Sequence, residues 1–569
     1  MTPEELNKVV KQIELAFIIE QSQTGDRTHR FTLQGNSRVW EVELWFGATF
    51  PFCLPKAKLL DQALIGKLPH VNILGTICVE ESDSVLIDYA KPELIIISFL
   101  ADVLRLLERV SLKIYRSELH NEIEGYYSSM PAVNSFYFAG TEPEKATLKV
   151  IQRQRILGYS YTIPIMLSGD GERPPIEFSN TEKLGQLQSI NIPHLPLKQA
   201  IDPPENASEI TNDYVTQLLK LVDEHALGVL REILKRKDHG RQFFVLFSMP
   251  RDGKERSQLL LHFKANACLL HPLLKFCPDW EVDTYSVQRH NKAYLLDRGG
   301  ANASLSQKKV AVIGCGSVGG EVAAMLAKSG VGELILIDPD TLEADNIYRH
   351  RLGGSYLNFM PSRSDGKVRA VNKVHALASE IQANLPFVKV IPVASMAEKV
   401  NAIRSISGVD TVVVAVGNPS LSLLLNKQLL KLGVNHAIFC WNEASGYGGH
   451  SVSLKLAKVC YECLFSDENG FTAEHILSLV KPGQAISKNL TGCAGVFTPF
   501  SYLDSSRTAA IAAQQTIDAL LGHNNLSVAH SWKGKNRYGL QVTERFNQMQ
   551  IQEELVLVKQ AGCRGCHAK

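Results

Sequence analysis

No apolar run in this chain approaches the ~20 residues that a bilayer span needs. The longest, "ELIIISFL" and "TVVVAVG", are the size of core segments. Charge of one sign is also lacking: a net charge of +2 over 569 residues leaves no electrostatic footprint for nucleic acid or an anionic membrane. There is no internal repeat and no low-complexity tract. The opening, "MTPEELNKVV", reads as the acidic start of an apolar-faced helix rather than a leader, so a cytoplasmic location is expected. Cysteine is scarce, 11 in 569 residues. Reducing cytosol disfavours a disulfide framework, so each thiol is to be judged as ligand, nucleophile or core residue.

What is present is the composition of a globular protein, 45% hydrophobic and 21% charged. At roughly 150 residues per domain the length suggests three or four domains. The expected organisation is α+β over 1–130, a middle α+β domain over 131–290, and an α/β domain over 291–569. The first begins with an amphipathic helix expected over 3–20, followed by the strand-like "RFTLQG", "RVWEVELWFG" and "KAKLLD" and the helical "PELIIISFLADVLRLLERV". The middle carries no motif with chemistry and reads as a spacer or recognition domain. From about residue 307, "KKVAVIGCGSVGGEVAAMLAKSGVGELILIDPD" is strand, glycine turn, helix and strand, a βαβ unit that implies a parallel-rich, Rossmann-like sheet.

Gly314, Gly316 and Gly319 occupy the G-x-G-x-x-G positions, where backbone N–H groups approach phosphate at a helix N-terminus. Asp338 ends the next strand, placed to bond ribose hydroxyls. The turn alone suits a dinucleotide oxidoreductase, but Asp340, Asn346 and Arg349 lie just past the strand, where a phosphate tail would run. Hydride transfer needs no guanidinium there, whereas cleavage of ATP does.

At these residues the chain resembles the ThiF/MoeB/ubiquitin-activating-enzyme family, with its glycine turn, Asp-x-Asp strand end and Asn-x-x-Arg-Gln segment. His350 stands in place of the glutamine. The family's downstream lysine aligns with Arg369, with Lys367 and Lys373 nearby, and its magnesium-holding aspartate aligns with Gly417. An upstream arginine that reaches the partner subunit's ATP has Arg289 and Arg298 as candidates. The resemblance implies ATP and Mg²⁺, and a homodimer.

Two Cys-x-x-Cys pairs, Cys460 with Cys463 and Cys563 with Cys566, suit a closed tetrahedral Zn²⁺ site stapling the terminus to the sheet domain. Surface thiols or a thioredoxin-like dithiol are the alternatives, and the ThiF family often shows the same two pairs. Cys493, in a Gly-rich segment ahead of an alanine-rich helix, stands where activating enzymes of the family keep the acyl-accepting cysteine. A small buried hydrophobe is the alternative there.

"LPHVNILGTIC" resembles the His-Pro-Asn, glycine loop and Ile-Cys of ubiquitin-conjugating enzymes, with Val71 for proline and a shorter loop. "FPFCLPKAKL" and "YAKPELIIISFLADVLRLL" resemble their flanking segments. This implies Cys78 as acyl carrier, Asn72 as oxyanion donor, and His70 as an orienting hydrogen-bonder; Cys53 reads as structural. The whole is similar to the bacterial fusions of conjugating and activating domains known from CBASS antiphage operons. They imply activation of a protein's C-terminal carboxylate as an acyl-adenylate, thioesters on Cys493 and then Cys78, and ligation to an amine. The donor implied is a ubiquitin-like protein or the operon's nucleotidyltransferase, with no nucleic acid or membrane partner. A sulfur-carrier-protein adenylyltransferase, a dinucleotide-dependent oxidoreductase and a non-catalytic conjugating-domain scaffold are the rival readings.

Overall fold

Thr2 begins the first helix, α1 (Pro3–Lys11), and does so for a local reason. Its side chain accepts from the Glu5 amide while the Glu5 carboxylate takes the Thr2 amide, a reciprocal cap with proline in the first turn. In this computed structural model α1 ends at Lys11, well short of the expected residue 20, and Ile18–Gly25 is a strand, β1. The reason lies in the pattern: Ile13, Leu15 and Phe17 recur every second residue, which suits an extended chain and would spiral round a helix.

The structure describes residues 1–79, 86–128, 134–139, 147–153, 166–169, 187–202, 210–234, 242–251, 256–264, 271, 273, 280–289, 292–357, 359–361, 368–385, 387–472, 474–489, 496–523 and 525–567. They fall into two compact units that divide between residues 291 and 292.

In the first unit β1 starts an antiparallel meander through β2 (Thr28–Gln34), β3 (Val39–Trp45), β4 (Lys56–Leu59) and β5 (Thr76–Ile77). Every second residue of β2 and β3 is buried, and Phe31, Leu33, Val42 and Leu44 share one face. Helix α2 (Pro92–Val110) covers that face with Ile96, Phe99, Leu100, Val103 and Leu107. Each such side chain contributes about 1.5–3 kcal/mol by leaving water. Two short helices follow, α3 (Arg116–Asn121) and α4 (Ile123–Ser128).

The same unit continues as a closed barrel of seven strands: β6 (Asn134–Ala139), β7 (Thr147–Arg153), β8 (Met166–Gly169), β9 (Leu187–Pro196), β10 (Gln242–Pro250), β11 (Arg256–Lys264) and β12 (Glu281–Arg289). The order round the barrel is β10-β11-β12-β6-β8-β7-β9, with β9 returning to β10. Helices α5 (Asn212–Lys220) and α6 (Glu224–Leu234) contribute Leu218 and Leu230 to one core with Val245, Phe247 and Leu261.

The second unit opens with α7 (Lys292–Arg298) and is built on an eight-stranded sheet. Its strands are β13 (Lys309–Ile313), β14 (Glu333–Ile337), β15 (Lys389–Val393), β16 (Thr411–Val414), β17 (His436–Asn442), β18 (Gly448–Lys455), β19 (Val528–Lys533) and β20 (Gln552–Val556). The order is β15-β14-β13-β16-β17-β18-β19-β20; the first five are parallel and the rest antiparallel. Helices α8 (Ser317–Lys328), α9 (Lys373–Asn384) and α12 (Tyr502–Leu521) cover one face, and α10 (Val400–Ser405) and α11 (Pro419–Lys431) the other. Cover on both faces explains why β13 and β14 read as unbroken apolar runs. Among the described residues no helix is long and apolar enough to cross a membrane.

Candidate functional site

The turn between β13 and α8 owes its shape to glycine. Gly314 has φ +84°, and a Cβ there would lie 2.8 Å from the Ala415 carbonyl oxygen. A Cβ on Gly319 would lie 1.8 Å from the Gly314 oxygen, whereas one on Gly316 would meet nothing within 4 Å. Gly316 is thus the open side of the turn, where a ligand's phosphate can approach the backbone.

Asp338 does more than end β14. It is buried; one carboxylate oxygen accepts from the Cys315 amide at 2.7 Å and the other from the Asp340 amide at 2.9 Å. It therefore ties the glycine turn to the strand end in addition to any contact with a ribose. His350, the departure from the family's glutamine, completes this lock. Its Nδ1 accepts from the Leu352 amide at 3.0 Å, so Nε2 carries the proton and donates to the Cys315 carbonyl at 2.8 Å. Burial lowers its pKa, which keeps the ring neutral in that tautomer.

Past the strand, the cation that meets Asp340 is Lys373, 3.2 Å away and largely buried at the start of α9. The family resemblance aligns Arg369 with the downstream lysine and places Lys373 nearby. Asn372 caps α9 and its side-chain amide donates to the Pro339 carbonyl at 3.1 Å, which brings the helix start, and Lys373 with it, against the Asp338–Asp340 turn. Lys367 and the side chain of Arg369 lie outside the described residues. Asn346 closes a short turn by accepting from the Glu343 amide at 3.2 Å. Three residues on, the Arg349 guanidinium stacks 5.3 Å from the centre of the Phe500 ring. Behind them Tyr502 donates to Glu321, which also faces Arg351, itself bonded twice to Glu380. This network anchors the start of α12 to α8 and α9, and nothing in the local sequence announced it.

Gly417 has φ +63° and open space where a Cβ would stand, so no carboxylate is supplied at the family's metal position. Of the two upstream arginines, Arg289 is consumed in the first unit, where its guanidinium pairs with Glu124 at 2.8 Å and the Arg256 carbonyl at 2.7 Å. Arg298 ends α7, exposed. Cys493 lies outside the described residues.

The four cysteines of the two pairs converge, their sulfurs all within 4.8 Å of one another. Cys460 is 3.6 Å from Cys563 and 3.4 Å from Cys566, and Cys463 is 3.4 Å from Cys566. These separations are far too long for disulfides. They are close to the ~3.8 Å edge of a tetrahedron with zinc–sulfur bonds of about 2.3 Å. Hydrogen bonds from Cys460 and Cys566 hold the Cys463 thiol down, while the same kind of contact pushes Cys460 up. Thiolates this close cannot all ionise without a cation between them, so the donor set fits a soft divalent ion.

In the first unit Cys78 follows β5 and is exposed. Its amide donates to the His70 carbonyl at 2.7 Å. The Asn72 side-chain oxygen accepts from the Leu74 and Thr76 amides, each at 2.9 Å, which fixes the loop and leaves the NH₂ end as the group for donating elsewhere. Gly75, at φ +80°, is required because a Cβ would stand 2.8 Å from the Leu59 oxygen. Cys53 bonds Thr49 within the proline turn. Burial raises Cys315 and pushes Cys440 up to about 12, marking both as core thiols.

Comparison with known proteins now adds to this geometry. Residues 289–554 match the ThiF family. That part of the chain is a ThiF domain. The ATP-dependent ubiquitin transferase-like protein Cap2 of Pseudomonas aeruginosa is 30% identical over 251 residues, 42% of this chain and 42% of that protein. Cap2 of Vibrio cholerae is 26% identical over 244 residues, 41% and 39% of the two chains. The SAMP-activating enzyme E1 of Haloferax volcanii is 28% identical over 191 residues, 33% of this chain and 64% of the other. The chain thus spans about two fifths of the length of these Cap2 proteins. Among solved structures, Escherichia coli MccB with ATP aligns over 48% of this chain and 72% of its own, at 20% identity and a TM-score of 0.32.

Proposed function

We propose that this chain activates the C-terminal carboxylate of a protein with ATP and carries the acyl group by way of thioesters to an amine. The observation that supports this most is the pairing, in one polypeptide, of a ThiF-type glycine turn flanked by Asp340, Lys373 and Arg349 with a separate exposed thiol, Cys78, held at the end of a His/Asn loop.

The chemistry runs in four steps. A carboxylate oxygen of the donor protein attacks the α-phosphorus of ATP, the bond to the pyrophosphate oxygen breaks, and an acyl-adenylate forms. Lys373 and Arg349 supply positive charge as negative charge grows on the phosphates. The Cys493 thiolate then takes the acyl group and AMP leaves. The Cys78 thiolate takes it from Cys493, which departs as thiolate. Finally an amine attacks the Cys78 thioester, with the Asn72 NH₂ donating to the oxyanion. The C–S bond breaks, Cys78 leaves as thiolate, the amine gives up a proton to solvent, and an amide remains. Joining both stations in one chain makes the cysteine-to-cysteine step intramolecular, at an effective concentration of about millimolar. The cytoplasm, a homodimer and a role in CBASS antiphage defence belong to the same reading, which draws on the likeness to the Cap2 proteins.

The test is trapping. Full-length protein with Mg-ATP and a co-encoded carboxylate donor is expected to give adducts that dithiothreitol removes. Cys78→Ala should retain one on Cys493, and Cys493→Ala should give none. An adduct on Cys493 or Cys78 that survives reductant, or a charged Cys78 in the Cys493→Ala protein, would sink the relay. Gly417, at the position of the family's metal-holding aspartate, favours the scaffold reading, and ATP–pyrophosphate exchange separates the two. Exchange that depends on the donor carboxylate is expected, and Lys373→Ala should slow it about 10²- to 10³-fold, the usual loss when one preorganised donor to developing charge is removed.

A further inference from the structure

His70 stands in the left-handed region, at φ +60°, which a residue with a side chain adopts only when its surroundings hold it there. Those surroundings are two carboxylates. Glu122 takes the His70 backbone amide on one oxygen at 2.7 Å and faces the ring Nδ1 with the other at 2.7 Å. Glu118 faces Nε2 at 3.2 Å, and its second oxygen is taken by Arg109 of α2 at 2.7 Å. Both ring nitrogens meet acceptors, so only the doubly protonated imidazole satisfies the arrangement. The carbonyl of the same residue carries the Cys78 amide.

The two glutamates do not belong to the thiol's own loop. They come from α3 and its junction with α4, a segment gripped by the barrel. Ile123 is fully buried in the core formed with Val245 and Leu261, and Ile73, from the thiol loop itself, packs on that core. Glu124 accepts from the Gln258 amide of β11 at 2.7 Å and from Arg289 of β12, while His120 meets Asp202 at 2.9 Å.

We propose that Glu122 is a positioning residue for Cys78, acting through His70, and that the barrel serves the transfer step by holding Glu122 in place. This rests on the reading of Cys78 as an acyl carrier. It gives the middle of the chain, which has no chemical motif of its own, a mechanical task. The hydrogen bonds to Glu122, with Glu118 adding to them, raise the His70 pKa against the opposing effect of burial. The sign follows: a group protonated more readily in the folded chain contributes fully below its unfolded pKa, and the contribution is lost as pH rises through the folded value. Among the described residues Arg109 also faces this cluster, through Glu118.

The experiment uses the full-length Cys493→Ala protein, acylated on Cys78 by exchange with an N-acetylglycyl thioester and checked by peptide mass. Aminolysis by glycinamide is measured from about pH 5.5 to 9, a range that spans histidine titration. Each rate is divided by that of the small thioester, which removes the amine's own ionisation. The wild-type ratio should be level at low pH and fall as His70 loses its proton. Glu122→Gln should lower it about tenfold near neutrality, as a nucleophile displaced by a fraction of an ångström does. It should also move the fall to lower pH and speed hydrogen exchange at the Cys78 amide. Glu122→Asp should restore most of the ratio, and thermal melts confirm folding of both. An unmoved profile in Glu122→Gln with normal acylation would overturn the inference alone. A wild-type Cys78 that accepts no acyl group would overturn the reading beneath it, and the inference with it.

Discussion

A Gly319→Ala protein is expected to lose ATP binding by at least about 10²-fold, and with it pyrophosphate exchange, the scale on which a small misplacement of a binding group is felt. The added Cβ would stand 1.8 Å from the Gly314 oxygen and 3.2 Å from the Ala415 Cβ. Neither obstacle is a flexible side chain. Gly314 cannot retreat, because its amide is bonded to the Ile337 carbonyl at 2.8 Å and its Cα side abuts the Ala415 oxygen. Cys315 is pinned by Asp338 at its amide and by His350 at its carbonyl. The turn must therefore open, and the N–H groups that would meet phosphate turn away together. Overpacking of this kind costs about 1–3 kcal/mol. Gly316→Ala is the control: its Cβ meets nothing within 4 Å, so its melting point should stay put. Any loss of affinity there measures how closely phosphate approaches the backbone. Calorimetric titration with a non-hydrolysable ATP analogue, beside thermal melts, reads both quantities. If Gly319→Ala binds like the wild type, this turn is not the nucleotide site.

Parts of this were legible because their physics is local. The parallel strands lie under helices on both faces, so "KVAVI", "ELILI" and "TVVV" are apolar throughout and announce themselves. The glycine turn and the paired cysteines carry their geometry in their spacing. What escaped notice is non-local. The barrel closes by pairing β9 with β10 in parallel and β12 with β6, joining segments far apart in sequence. Its interior keeps histidines such as His194, bonded to Ser248 at 2.9 Å, which break the apolar alternation that marks a strand. Nothing in the spacing from the glycine turn shows that Asn372 starts a helix beside Asp338 and sets Lys373 on Asp340. The Phe500 ring under Arg349 and the Glu122 carboxylate on His70 come from residues 151 and 52 positions away respectively, beyond the reach of any motif.

Cys563→Ser is expected to abolish a stoichiometric metal content and to lower the melting point of the ThiF domain steeply. The four sulfurs converge from segments about a hundred residues apart, so the ion they fit would close a long loop whose terminal stretch, beyond the pairing of β20, is held chiefly by local contacts. One side of the site is core: Tyr461, Leu464 and Phe465 pack with Leu425 and Leu429 of α11. The other is the terminal segment, which approaches so closely that a Cβ on Gly565 would stand 3.0 Å from the Cys460 sulfur. Removing one ligand releases that segment and leaves buried thiols that repel as they ionise. Structural zinc sites contribute on the order of 10 kcal/mol to small domains; here, with a large core already formed, a fraction of that is expected, a drop of about 10 °C or more at about 2–4 °C per kcal/mol. Because thiols must lose protons to bind, wild-type protein held with a chelator at mildly acidic pH should release the metal sooner than at neutral pH and then melt like Cys563→Ser. Metal analysis of the purified chain, melts with and without chelator, and proteolysis of the last residues give independent readings. A wild-type chain that carries no metal and melts as Cys563→Ser does would show that the cluster is only a packed set of thiols.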